Sequence, residues 1–369
     1  MSRLADFAAL PAETLWLRPI GLLRGGTAEK AVASGAALPL AGGPLAFPFI
    51  ELLALRDHEL VSGIASVAEL RQEAAHWEKA QASRIAELLA TLSAKRADWA
   101  GLSLERPLIM GVLNVTPDSF SDGGDFHDPG VAIAHGRAMM EAGADLIDIG
   151  GESTRPGAAP VSPAEEIARV ETVIAELAAA GALISIDTRH AVVMEAALAK
   201  GAKIVNDVTA LTGDPASRAA VAKSGAPVIL MHMRGEPRTM QRAPTYDDAP
   251  IEITEFLAAR IAECAAAGIE RRRIVVDPGI GFGKDKGHNL EVLDRVTLLH
   301  ALGCGILLGM SRKSLIGRVT NAVAPKDRLP GSLAGALHGI AHGVQIVRVH
   351  DVAETRQAIR VAQAIAEAT

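Results

Sequence analysis

Eight short apolar runs in the later two-thirds of the chain each finish on residues able to do chemistry. These are Asn114, Asp148, Asp187, Asn206 with Asp207, Met231 with His232, Asp277, Ser311 through Lys313, and Arg348 with His350. Asp148, Asp187, Asn206 and Asp277 supply acceptors and an amide, a set suited to a flat heterocycle with amino, amide and ring N–H donors. Arg155, Arg312, Lys313, Arg348 and His350 supply positive charge for a phosphate or diphosphate. A divalent metal is best argued from that phosphate side. Mg2+ prefers oxygen ligands and keeps waters or substrate phosphates in its remaining positions, and Asn114 is the best single protein ligand.

Two connecting segments share this chemical character. The run from Asn114 to Gly124 is polar and turn-rich and carries Phe120. The run from Gly150 to Gly157 combines glycine, hydroxyls and Arg155. Segments of this composition can close over a substrate. The glycine-rich stretch Asp277 to Lys284 either cradles phosphate or lets Phe282 pack over a ligand, and glycines alone do not decide between the two. Asp187, Asp207 and Asp277 each also suit a capping role at the following turn. No Ser-His-Asp triad follows from spacing. His338 and His342 lie four apart without an accompanying H-E-x-x-H pattern, so a packed or solvated helix face is expected there.

The elements that must position these residues are legible in the texture of the chain. The eight runs are Leu108–Val115, Asp145–Gly150, Leu183–Asp187, Lys203–Val208, Pro227–His232, Arg273–Asp277, Gly305–Met310 and Val344–Val349. Each is nearly continuous and rich in β-branched residues, as expected of a parallel strand buried on both faces. Alanine-rich helical stretches separate them. Ser162-Pro163-Ala164-Glu165 reads as a helix start, and Asp351 with Glu354 as another. Eight β-then-α units over ~260 residues predict a (β/α)8 barrel, whose active site lies at the C-terminal ends of its strands. No phosphate-loop lysine motif or G-x-G-x-x-G supports an open doubly wound sheet.

Residues 1–105 differ in texture and are expected to form a mostly helical accessory region ahead of a barrel spanning 106–369. Gly42-Gly43-Pro44 precedes a short strand or two around 45–55. Ser66 and Glu69 form a capping box for a long helix ending near Trp99-Ala100-Gly101. Trp16, Trp77 and Trp99 would be costly to leave exposed, so the region is expected to pack.

Composition bounds the rest. The 369 residues are 49% hydrophobic and 22% charged, which excludes a mainly disordered chain. Two cysteines, Cys264 and Cys304, give neither a disulfide framework nor a thiolate zinc site, and point to a reducing cytoplasm. The net charge of −6 and an aromatic content of 3% argue against a nucleic-acid partner. No apolar stretch approaches the ~18 residues of a membrane span, and the N-terminal residues lack the pattern of a signal peptide.

Taken in order, these motifs resemble those of the dihydropteroate synthases of folate biosynthesis. The resemblance covers about residues 107–369. It rests on MGVLNVTPDSFSDGG at 110–124, DIGGESTRPG at 148–157, Ile186-Asp187-Thr188, Asn206-Asp207, Met231 through Gly235, Asp277 through Lys284, Ser311-Arg312-Lys313-Ser314 and Arg348 through Asp351. It implies that Asp187, Asn206, Asp277 and Lys313 hold a pterin ring, with Met231, Phe282 and Asp148 around it. It implies that Asn114, Arg348 and His350 bind diphosphate and Mg2+, completed by Asp122, Thr154 and Arg155. Phe120, Pro156 and Ser311 then match the p-aminobenzoate pocket, where sulfonamides compete. Asp187, Lys313, Asp122 and Arg155 would carry the chemistry, and a homodimer is the implied assembly. A pterin-dependent methyltransferase is the rival reading. It would need neither both closing segments nor the Arg348/His350 end. A non-catalytic barrel kept for binding is a further rival, against which the intact site argues.

Overall fold

The computed structural model describes residues 3–116, 129–153, 161–235 and 239–368. Its centre is a closed barrel of eight parallel strands: β6 (Leu108–Asn114), β7 (Leu146–Gly150), β8 (Ile184–Asp187), β9 (Ile204–Asp207), β10 (Val228–Met231), β11 (Ile274–Asp277), β12 (Gly305–Leu308) and β13 (Ile346–Val349). β13 pairs with β6 to close the ring. Each strand lies within the run expected from sequence. Helices return the chain between strands, among them α5 (Pro163–Ala179), α6 (Ala191–Ala199) and α12 (Val352–Glu367). Ser162 caps α5 as expected, accepting from the Glu165 amide. Asp351 takes the N-cap position of α12 as expected, but its side chain makes no capping hydrogen bond, because its carboxylate is drawn into an ion pair with Arg312.

Strand alternation divides the strand residues into two cores. One phase (Ile109, Ile147, Ile186, Val205, Leu230, Val276, Leu308 and Val347 among others) packs outward beneath the helices. The other phase fills the floor of the barrel with Leu108, Met110, Leu146, Ile204, Ile229, Val275, Leu307 and Ile346. This second phase is the one that matters for chemistry. On five of the strands, Asp148, Asn206, Met231, Asp277 and Arg348 stand two residues beyond the floor, and four beyond Met110 stands Asn114. The same alternation that packs the floor therefore lines the mouth.

The first hundred residues are mixed helix and strand, not mostly helical. β1 (Trp16–Ile20), β4 (Phe49–Arg56) and β5 (Glu59–Ser66) form an antiparallel sheet, while β2 (Leu38–Pro39) and β3 (Ala46–Phe47) pair separately. The sheet depends on a two-residue hairpin turn at Asp57 and His58, both at positive φ (52° and 68°). Turns of this kind strongly favour Asn-Gly or Asp-Gly, so Asp-His gives little warning of the hairpin. The expected long helix is two, α2 (Val67–Ala74) and α3 (Lys79–Ser93). The Ser66–Glu69 capping box is present. After the break α3 packs against both β1 of the small sheet and the Val296–Leu302 segment ahead of β12, with Ile85, Leu88, Leu89 and Leu92 buried.

This region closes the lower end of the barrel. A tight turn with Ala100 and Gly101 at positive φ joins Trp99 and Leu102 through two backbone hydrogen bonds of 2.9 Å. Trp99 is 1% exposed, packs into the barrel floor with Leu104, and donates its indole N–H to the Arg273 carbonyl at 3.0 Å. Arg96 is buried beside it. It donates to the carbonyls of His300 and Cys304 across the junction and to those of Thr91 and Ala94 on its own side. Burial without a carboxylate partner brings the Arg96 guanidinium down to about 10, still charged at neutral pH. Replacing Trp99 with Ala should cost about 3–5 kcal/mol of stability, as for other large core truncations. Urea unfolding followed by far-UV circular dichroism measures it, and a loss under 1 kcal/mol would mean that Trp99 does not seal the floor.

Candidate active site

At the mouth of the barrel, one guanidinium organises two carboxylates. Arg348, at the end of β13, donates from Nε to Asp148 Oδ2 at 2.6 Å and from Nη2 to Asp187 Oδ2 at 2.8 Å. Asn206 adds its amide N–H to the same Asp148 oxygen at 3.0 Å. The other Asp148 oxygen, Oδ1, is buried and has no hydrogen-bond partner among the described residues. Asp148 is fully buried, and Asn206 and Asp277 are 6% exposed. Buried carboxylates around a single cation resist ionisation. Burial pushes both Asp187 and Asp277 upward, against Arg348 in the first case and Lys313 in the second. Arg348 is held charged, since the pull of Asp148 and Asp187 exceeds its desolvation.

Lys313 approaches from the β12 side. Its Nζ donates to the Ile280 carbonyl and lies 4.8 Å from the centre of the Phe282 ring. Burial draws Lys313 down to about 8. Gly309, just past β12, lies beside these cations: a Cβ there would sit 3.9 Å from Lys313 Nζ and 3.7 Å from Arg348 Cβ, in ordinary contact. The preceding residue, Arg312, adopts a positive φ of 58°, rare for a side chain of its size. Three contacts hold that turn: its amide donates to Ser332 Oγ, its carbonyl accepts from Arg328, and its guanidinium pairs with Asp351. Arg312 is thus committed to the turn that presents Lys313, and it is not part of the positive charge facing the mouth.

The glycine-rich stretch after β11 holds no phosphate-facing lysine. Lys284 is 1% exposed and turns back into the loop, donating to the carbonyls of Gly279 and Phe282 and meeting His232 Nδ1 at 2.9 Å. Burial lowers its ammonium well below the usual lysine range and holds His232 neutral. The loop needs glycine because it packs directly on the backbone after β10. A Cβ on Gly279 would come 2.0 Å from the His232 carbonyl oxygen, and one on Gly283 2.3 Å from that of Arg234. Lys284 and these glycines place Phe282 and the Ile280 carbonyl beside Lys313.

Other expected residues divide clearly. Met231 lines the mouth from β10 and is 4% exposed. Asn114 ends β6, where a side chain on Gly150 would meet its Oδ1 at 3.7 Å and Asp187 Cβ at 3.5 Å. Ser311 and His350 come together, with Ser311 Oγ accepting from the His350 amide at 3.1 Å and lying 3.0 Å from its Nδ1. Asp207, adjacent to Asn206 but in the opposite strand phase, accepts from Thr209 and Leu211 and is structural. Phe120, Asp122, Thr154, Arg155 and Pro156 lie outside the described residues.

A barrel whose mouth gathers buried carboxylates, an amide and two cations is a site for a polar, flat, anionic ligand. Residues 110–350 match the family described as pterin binding enzyme. The Escherichia coli (strain K12) dihydropteroate synthase is 47% identical over 269 residues, covering 73% of this chain and 95% of that protein. The Yersinia pestis dihydropteroate synthase, solved with a sulfonamide drug complex, superposes with a TM-score of 0.69 at 47% identity, covering 72% of this chain and 96% of that one. The Xanthomonas albilineans dihydropteroate synthase in complex with 7,8-dihydropteroate gives 0.66 at 44% identity, with 72% and 95% covered. The chain belongs to the pterin-binding enzymes. Within that class it falls among the dihydropteroate synthases, transferases of folate biosynthesis.

The glycine loop provides a direct test of how the mouth is positioned. Gly279→Ala combines a positive φ of 68° with a backbone clash. It should cost roughly 2 kcal/mol or more in urea unfolding and should weaken binding at the mouth, because Ile280 and Phe282 shift with it. Wild-type stability in this variant would show that the loop does not need glycine there.

Proposed function

We propose that the barrel mouth binds 6-hydroxymethyl-7,8-dihydropterin diphosphate and that p-aminobenzoate attacks its methylene carbon, giving 7,8-dihydropteroate and diphosphate. The observation that carries this reading is the buried Asp148–Asn206–Asp187–Arg348 cluster, whose Asp148 Oδ1 lacks a partner among the described residues. A dry pocket with an unmet acceptor asks for a ligand with N–H donors, and a pterin ring brings several. Asp148, Asp187, Asn206 and Asp277 receive those donors, Lys313 offers N–H to ring acceptors, and Met231 and Phe282 supply the apolar walls.

In the reaction, the carbon–oxygen bond to diphosphate breaks and diphosphate leaves with the electron pair. The amine lone pair forms the new carbon–nitrogen bond, and the nitrogen then loses a proton. The carboxylates favour positive charge building on the pterin and its methylene, while cations favour the departing anion. Asn114, Arg348 and His350, with Asp122, Thr154 and Arg155, are assigned to the diphosphate. Phe120, Pro156 and Ser311 are assigned to p-aminobenzoate. The contact between Ser311 and His350 would link these two subsites. The amide oxygen of Asn114 is a hard donor at the mouth and fits Mg2+, whose remaining positions would be filled by substrate oxygens and water. Bound there, Mg2+ would neutralise charge on the leaving diphosphate.

The reading extends to organisation. Residues 106–369 form the catalytic domain and 1–105 an accessory domain, the active unit is a homodimer, and the enzyme works in the cytoplasm. Among the described residues, no helix is long and apolar enough to cross a membrane.

Diphosphate release dependent on p-aminobenzoate is the decisive assay. Asn114→Ala, Asp187→Ala and Lys313→Ala should each lower kcat/KM on the order of a hundredfold, and full turnover in all three would overturn the assignment. Lys313 also predicts a pH dependence. Its folded pKa is lowered to about 8, so it is charged below that pH and loses its proton as pH rises through it. The alkaline limb of kcat/KM should therefore fall near pH 8, and Lys313→Arg should move that limb beyond pH ~10 at a reduced maximum. An unmoved limb would remove Lys313 from substrate binding.

A further inference from the structure

The segments leaving β7 and β8 bring together a second set of ligating side chains that the proposed reaction does not use. Glu152 follows β7, Glu166 lies near the start of α5, and His190 immediately precedes α6. One ligand atom from each lies within 4.8 Å of the other two, and this is the one such group among the described residues. Glu166 is 0% exposed, and among the described residues neither of its carboxylate oxygens has a well-formed hydrogen bond, although the Thr188 side chain lies close enough to favour its charged form. His190 Nε2 is also buried without a hydrogen-bond partner among the described residues, and it stands 4.0 Å from Glu152 Oε2.

The surroundings hold these groups in place without satisfying them. Arg189 donates to both Glu152 oxygens at 3.1 Å, which fixes the carboxylate and leaves it further lone pairs. Gly151 allows α5 to press against this segment. A Cβ there would lie 3.0 Å from Glu166 Cγ and 2.9 Å from Val170, so Glu166 sits hard against the chain. Burial, aided by the neighbouring Glu152 carboxylate, pushes the Glu166 carboxyl up to about 7 against the weaker pull of Thr188, Arg189 and Arg169.

We propose that Glu152, Glu166 and His190 form a binding site for a divalent first-row transition-metal ion of the Zn2+ type, separate from Asn114. Two carboxylates and one imidazole are the donor set such ions take, with water in a fourth position. Magnesium, which favours an all-oxygen shell, fits this set poorly. Bond lengths of ~2.0–2.2 Å require the donors to close up by about an ångström, within the reach of small side-chain rotations. Bound there, the ion ties the segment after β7 to the segment after β8 and to the head of α5. That tie sits directly ahead, in sequence, of Thr154 and Arg155.

The test uses the full-length chain, stripped with a chelator and kept free of both substrates, titrated with Zn2+ by calorimetry. Wild type should take up one more tight equivalent than Glu166→Gln or His190→Asn, or bind it at least about tenfold more tightly. X-ray absorption at the zinc edge should show a mixed nitrogen and oxygen shell whose histidine signature disappears in His190→Asn. Zn2+ should raise Tm in wild type and leave both variants unmoved. Excess Mg2+ should not displace the ion. Equal uptake and equal Tm shifts in wild type and His190→Asn would overturn the proposal, as would a wild type that takes up no Zn2+. His190 is partly exposed, so its variant keeps the comparison decisive should Glu166→Gln fail to fold.

Discussion

The charge balance inside the barrel mouth depends on Arg348. Asp148 and Asp187 are drawn from different strands, and without the guanidinium between them they would repel at short range in a poorly solvated space. Removing one partner of such a set leaves an uncompensated buried charge, which is far more costly than the set itself. The arrangement is only partly satisfied, because Asp148 keeps one oxygen unmet. A protein that tolerates this in its interior holds polarity in reserve for something that arrives later. The pterin class of ligand fits that reserve in shape and in donors.

Much of this was readable from residue order. The eight strands could be placed because buried parallel strands are continuous apolar runs, and because their last residues broke that pattern so consistently. Strand phase also explains which polar residues matter. Asn206 and Asp207 are neighbours in sequence, yet one faces the mouth and the other caps a turn behind the sheet. The sequence shows the pair; only the register of the barrel separates their roles.

Other features were hidden for physical reasons. The small N-terminal sheet turns on Asp57 and His58, whose backbone angles no composition rule anticipates. Arg312 has the sequence position of a substrate cation beside Lys313, but its charge is consumed by Asp351, and the same pairing diverts the Asp351 carboxylate from a capping bond at the head of α12. Lys284 and Glu166 carry charge in their formulae and lie buried in the fold. Their burial follows from glycines at 151, 279 and 283 that let backbone approach backbone. A single sequence does not show which of its glycines will be used in this way.

The accessory region has a consequence for how the molecule comes into being. Arg18 reaches the Asp294 carbonyl and Pro19 receives the Thr297 hydroxyl, contacts spanning 276 and 278 residues of chain. Arg96 waits in the same way for His300 and Cys304, more than two hundred positions on. Loops of that length close slowly, and such distant contacts reward folding only after most of the chain is in place. During synthesis, therefore, the leading hundred residues must remain incompletely packed until the sixth and seventh barrel strands have left the ribosome. Trp99, whose packing partners and hydrogen-bond acceptor belong to the barrel, stays open to water, or to a chaperone, for that interval.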